Sequence, residues 1–325
     1  MMNATTAELQ GLATVRVRPA MYIGSTDEAG LLHLVSELVG NSLDEHLAGF
    51  GSRISVDIAD GVITVNDDGR GIAVESLEAV LTSMSPVGSP FAAGLAVVNA
   101  LSERLEVEVR RDGARWTIAF VRGKLVEPLT RIGGTSEQGT MVRCRPDPQI
   151  FGAARLDRAA VAARIDELAW LTPKLHWSFQ GREVQHTDGL LGLAVSVAPS
   201  PMVPGTIITV ADTIDGVQLE LVAGLTSEAR GKRVGFVNFA ASNNGSHVRG
   251  VLDGITKAFE GDVAALHRRL VLAIHVGWPA PRFEGARRTV LHDEDVFRAV
   301  STAVARELRK QSDLRISWLQ ALSAG

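Results

Sequence analysis

The sequence holds a single cysteine, Cys144, and a single tyrosine, Tyr22. One thiol can form neither an intramolecular disulfide nor a cysteine-cluster zinc site, and such scarcity points to a reducing compartment. No uninterrupted apolar run approaches the roughly 18 residues that cross a bilayer. The N-terminus, Met1 to Gln10, lacks the basic-then-apolar layout of a signal peptide. An excess of charge of either sign is also missing, because 33 basic and 37 acidic side chains leave a net charge of −4. That excludes a surface basic all over, though not a local basic patch. His33, His176, His186, His247, His275 and His292 have no metal-ligand spacing. What remains reads as a soluble, cytoplasmic chain with no membrane segment. Its 325 residues, 46% of them hydrophobic, are about twice the length of a typical domain.

The pattern divides in two. Leu31, Leu34, Val35, Leu38, Val39, Leu43 and Leu47 recur at helical spacing as one apolar arc. Ile54, Val56 and Ile58 alternate as a half-buried strand, Asp60-Gly61 is a hairpin signal, and Val62 to Val65 is the returning strand. The spacing predicts helices over 77–84, 94–101 and 156–171. It predicts strands over 105–110, 115–121 and 140–145, joined at Asp112-Gly113 and Gly133-Gly134. Helices grouped beside a largely antiparallel sheet make an α+β sandwich. A Pro-rich hinge, residues 198–204, leads to a smaller α/β pattern with strands over 206–210, 217–222, 234–239 and 270–276 and helices over 248–259 and 296–309. The expected domains are therefore 1–201 and 202–325.

Three segments carry chemistry. Glu37, Asn41 and Asp44 sit at i, i+4 and i+7 on the expected first helix, in one polar arc opposite the leucines. A carboxylate there can position and deprotonate a water while a neighbouring amide oxygen binds a hard cation such as Mg²⁺. The same spacing also describes an ordinary solvated face. Asp67, closing a strand before Asp68-Gly69-Arg70-Gly71-Ile72, can accept a hydrogen bond from an exocyclic amine, with two glycines letting backbone approach a ligand. An Asp-Gly turn is the plainer reading. Thr140 opens a strand after Gly139 and offers a hydroxyl to the same pocket.

Taken together and in order, these segments resemble the ATPase region of the type II topoisomerase family that includes DNA gyrase B and the topoisomerase IV ATPase, within the gyrase/Hsp90/histidine-kinase/MutL ATPase superfamily. The matching stretches are residues 15–24, 37–45, 67–72, 97–102 and 139–143. The resemblance implies a two-layer ATPase sandwich of the gyrase/Hsp90 type followed by a smaller α/β transducer domain, with ATP and Mg²⁺ as cofactors. By the same resemblance Glu37 is the general base, Asn41 the Mg²⁺ ligand and Asp67 the adenine-reading carboxylate, helped by Thr140. Gly71 and Ile72 line the base, and Arg70 pairs with Glu45 at the pocket mouth. Arg288 stands where the family's transducer lysine meets the γ-phosphate.

The departures lie on the triphosphate side. Residues 85–94, in place of a long glycine-rich lid, contain Pro86 and Pro90, which donate no amide, and Phe91 and Ala92 where the family has His and Gly. Two readings follow. One is an ATP-binding, slowly hydrolysing gate module resembling the N-terminal part of gyrase B, without the DNA-cleavage region. The other is a non-enzymatic paralogue that regulates, decoys or protects a true type II topoisomerase. The retained Glu37 favours the first and the altered lid the second. The implied partners are a second copy through the ATPase domain, a topoisomerase subunit, and DNA through Arg230, Lys232, Arg233, Arg249, Lys257, Arg268 and Arg269.

Overall fold

The computed structural model describes residues 6–84, 94–228, 230–259, 263–284 and 290–323. The chain forms two compact units, Met1–Ala169 with Lys174–Gln185, and Trp170–Pro173 with His186–Gly325. The Pro-rich segment 198–204 and the helix before it, Gly189–Val197, belong to the second unit.

The first unit contains helices α1 (Thr6–Val17), α2 (Ala20–Ile23), α3 (Glu28–Leu47), α4 (Leu77–Thr82), α5 (Leu95–Leu101), α6 (Pro148–Phe151) and most of α7 (Arg158–Leu171). Its strands are β1 (Arg53–Ala59), β2 (Val62–Asp67), β3 (Ser102–Arg111), β4 (Ala114–Val121), β5 (Lys124–Gly134), β6 (Gly139–Pro146), β7 (His176–Phe179) and β8 (Arg182–Val184). They form one sheet in the order β5-β4-β3-β6-β2-β1-β7-β8, antiparallel except where β1 meets β7. Asp27 starts α3 by accepting from the amides of Ala29 and Gly30. The leucine arc of α3 is buried as expected through Leu43, whereas Leu47 is exposed at the helix end. In the hairpins, Asp60-Gly61 and Asp112-Gly113 both adopt positive φ, the conformation that tight primed turns require. Ile54, Val56, Ile58, Ile63 and Val65 bury one face of β1 and β2. Because strand side chains alternate, Asp67 is buried on that same face.

One expected connection is corrected. The strand over 115–121 is not followed directly by the strand over 140–145, because β5 intervenes as the edge of the sheet beside β4. β6 then crosses over to lie between β3 and β2. β5 carries no period-2 apolar signal: Leu125, Val126 and Ile132 are exposed, Pro128 interrupts the strand, and its pairing is irregular. β7 and β8 also lie outside the expected set.

The second unit contains α8 (Gly189–Val197), β9 (Ile208–Ile214), β10 (Val217–Leu225), β11 (Arg233–Val237), β12 (Ala240–Ala241), β13 (Asn244–Gly245), α9 (Ser246–Ala258), α10 (Ala264–Arg269), β14 (Leu270–Gly277), β15 (Phe283–Glu284), β16 (Val290–Leu291), α11 (Glu294–Lys310) and α12 (Ser312–Ser323). Its five-stranded sheet runs β12-β11-β14-β10-β9, and β13, β16 and β15 form a small second sheet. α9 and α11 pack on each other over an aliphatic core of Val251, Ile255, Val300, Val304, Leu272 and Ile274. The chain continues past the expected last helix into α12, whose Trp318 is fully buried, stacks on Phe259 and donates its indole N–H to Thr206 O at 2.7 Å. Trp318→Ala removes this packing and leaves the carbonyl unpaired. It is expected to destabilise the second unit by about 3–5 kcal/mol, read as a lowered denaturant midpoint.

Candidate functional site

The polar side of α3 and the C-terminal end of β2 lie in the first unit and hold the residues singled out above. On α3, Glu37 and Asn41 stand one turn apart, as their spacing predicts. His33, one turn before Glu37, brings Nε2 to 3.0 Å from Glu37 Oε1. Reading the histidines only for metal spacing misses this partner, although the i, i+4 relation to Glu37 was legible. The other carboxylate oxygen lies against the start of α5: a Cβ built on Gly94 would come within 1.7 Å of Glu37 Oε2. No side chain fits at position 94 unless Glu37 moves. Asn41 is half-buried and its amide makes no hydrogen bond among the described residues, so a hard amide oxygen is free one turn from the carboxylate.

Asp67 ends β2 only 3% exposed. Its Oδ1 accepts from the amides of Gly69 at 2.9 Å and Thr140 at 3.1 Å, and its Oδ2 accepts from Ser42 Oγ at 2.8 Å. Burial pushes its carboxyl above the ordinary range, and those three donors offset it only in part. Oδ2 retains acceptor capacity for a further donor. Thr140, 73 residues away in sequence, is brought alongside by the β2–β6 pairing, and its Oγ1 accepts from Ile72 N at 3.3 Å. Gly71 adopts φ +78°, and a Cβ there would meet Arg110 O at 2.8 Å.

Two arginines of β3 hold this loop from opposite faces of the sheet, and no motif in the sequence pointed to them. Arg110 donates to Asp67 O and Asn66 Oδ1, and Arg111 donates to Gly71 O at 2.7 Å. Arg70 forms the expected fork with Glu45, Nε to Oε2 at 3.0 Å and Nη2 to Oε1 at 2.9 Å. Burial raises the Glu45 carboxyl, but the hydrogen bonds from Arg70 outweigh it and hold the pKa below its ordinary value. A polar cleft of about 420 Å³ opens around Ser55, Asn66 and Ser178, whose side chains alternate with the buried ones, so it faces away from α3.

Arg288 and residues 85–93 lie outside the described residues. In the second unit, several of the cations expected to meet DNA are committed to the protein itself. Arg233 donates to His267 O, Arg269 to Thr226 O and Ala321 O, and Lys257 pairs with Asp253. Arg249 reaches Ser246 Oγ. Cys144 is fully buried beside Ser102 Oγ, and burial pushes its thiol to about 12, so it is inert packing. No helix among the described residues is long and apolar enough to cross a membrane.

Comparison with known proteins agrees with this fold. The family of histidine kinase-, DNA gyrase B-, and HSP90-like ATPases matches residues 26–150. The 43K ATPase domain of Thermus thermophilus gyrase B, solved with an aminocoumarin, superposes with a TM-score of 0.81 at 30% identity, covering 97% of this chain and 95% of that one. The chain belongs to the gyrase B family. DNA gyrase B of Thermotoga maritima is 33% identical over 94% of this chain and 56% of its own length. The corresponding type 2 topoisomerase polypeptide of Aquifex aeolicus is 33% identical over 90% of this chain and 43% of its own. This gyrase B-like module thus spans about half the length of those relatives.

Proposed function

We propose that the first unit binds ATP with Mg²⁺ and hydrolyses it slowly, as the nucleotide-driven gate module of a type II topoisomerase. The observation that carries the reading is the carboxylate of Glu37, held by His33 and packed against Gly94, one helical turn from a free amide oxygen. A carboxylate fixed in this way can accept the proton of an attacking water. Mg²⁺ commonly takes one or two protein oxygens beside water and phosphate, so Asn41 alone suffices as a protein ligand, and the bound ion would neutralise phosphate charge. At the other end, Asp67 Oδ2 suits the exocyclic amine of adenine, and Arg110 and Arg111 fix the backbone that would lie along the base.

Slowness follows from composition. Positioning and electrostatic clamping supply most of the rate in phosphoryl transfer. Pro86 and Pro90 remove amide donors from the lid segment, and Arg288 replaces a compact lysine by a bulkier fork. Pairing of two copies through this unit, and assembly with other topoisomerase chains, are part of the same reading. Titration calorimetry with a non-hydrolysable ATP analogue, alongside steady-state hydrolysis, tests it. Mg²⁺-dependent binding together with turnover above the Glu37→Ala background is expected. Binding without turnover would instead make the chain a pseudo-ATPase.

Gly94→Ala gives a second handle. Its Cβ would collide with Glu37 Oε2, so the carboxylate must turn away from its place beside His33. Turnover is expected to fall at least about tenfold, with a smaller change in analogue affinity, because the displaced group acts on the attacking water and not on the bound base.

A further inference from the structure

The turn between α3 and β1 carries Phe50, an aromatic that no local hydrophobic pattern accounts for and that is 42% exposed. Its ring lies 3.8 Å from the Arg70 guanidinium carbon, well inside cation–π range. The placement is built. Phe50 N donates to Glu45 O at 2.8 Å, and Gly51, at φ +80°, passes so close to the loop after β2 that a Cβ would sit 3.1 Å from Gly69 Cα. Asp68 closes the contact from the other side by accepting from the amides of Ser52 and Arg53 and from Ser52 Oγ. The two loops are thus fastened together, with Phe50 on one guanidinium face and Glu45 on its edge.

We infer that Phe50 is a positioning residue for nucleotide binding that acts through Arg70. The inference rests on the proposed ATP site. Arg70 is tied to Glu45 by its own backbone amide, at 2.9 Å, as well as by its side chain, so holding the guanidinium still also holds the segment from Gly69 to Gly71. That segment joins Asp67 to Gly71 and Ile72. Phe50 limits the sweep of Arg70 and shields one face of the ion pair from water, which preorganises the edge of the base pocket. Phe50 itself touches no nucleotide.

The experiment is a double-mutant cycle on the full chain with Phe50→Ala, Arg70→Ala and the pair, reading the Kd of a non-hydrolysable ATP analogue. Phe50→Ala is expected to weaken binding about three- to fivefold with kcat at saturation unchanged. It should have no further effect in the Arg70→Ala background. Phe50→Tyr should restore affinity and Phe50→Leu should not, which separates ring electrostatics from packing. Glu45 titration followed by carboxyl NMR gives a nucleotide-free readout, its pKa rising in Phe50→Ala as Arg70 loosens. An unchanged Kd beside a binding wild type, an equal loss in both backgrounds, or an unmoved Glu45 titration would overturn the inference and leave the ATP site standing. Failure of the wild type to bind the analogue would overturn the ATP site, and with it the role assigned to Phe50.

Discussion

Glu37→Ala is expected to lower ATP turnover by a factor on the order of 10² to 10⁴ while changing analogue affinity little. In the proposed role the carboxylate acts only where a proton leaves the attacking water, and among the described residues it lies against His33 and the start of α5. Its loss should therefore fall on kcat and kcat/KM alike and not on ground-state binding. Glu37→Gln keeps the size and the place beside His33 but cannot take the proton, so it should be nearly as inactive as Glu37→Ala. His33→Ala should cost less, about tenfold, because the base survives but loses the imidazole that fixes its rotamer. A large change in analogue Kd in Glu37→Gln would mean that the carboxylate binds the ligand instead of activating water. Equal turnover in wild type and Glu37→Ala would remove hydrolysis as the function altogether.

Asp67→Asn is the second large expected effect, and it acts in opposite directions on binding and on stability. Oδ1 must keep accepting from Gly69 and Thr140, so the new amide nitrogen falls where Oδ2 stood. A donor there faces the exocyclic amine of adenine, another donor, and affinity should fall by about a hundredfold. Without nucleotide the sign reverses. The folded-state pKa of Asp67 is raised above its ordinary 3.8 by burial, so between those values the folded chain binds more protons than the unfolded one. Stability therefore falls as pH rises through that window, and the full penalty stands above it. Asp67→Asn carries no such penalty. The variant should melt above the wild type at pH 8, with the gap closing as pH drops below about 4. Melting curves that run parallel at every pH would show that Asp67 is not desolvated as its burial implies.

Much of the candidate site was legible because it is written in short spacings. Glu37 and Asn41 share a face by helical rotation alone, and the strand-ending Asp67 with two glycines close behind is local as well. The Glu45–Arg70 fork could be anticipated from resemblance. An unpaired carboxylate at Glu45, on the edge of the apolar arc, would be costly, and that fork and the backbone amide of Arg70 satisfy it. His33 was within reach of the same helical arithmetic and is missed only when histidine is weighed as a metal ligand. β5 escaped for a physical reason: both of its faces are largely wet, so it has no alternation to detect.

The sequence by itself determined the apolar arc of α3, the Asp-Gly hairpins, the acid and amide on one helical face and the strand-end carboxylate, because each depends on rotation or alternation along neighbouring residues. Only the tertiary structure decided that Thr140 meets Asp67, that Arg110 and Arg111 grip the same loop from two faces, that Gly94 packs on Glu37 and that Phe50 covers Arg70. Those pairs are far apart in the chain or are separated by turns. They form only when sheet register and burial are fixed for the whole unit at once, which no local period encodes.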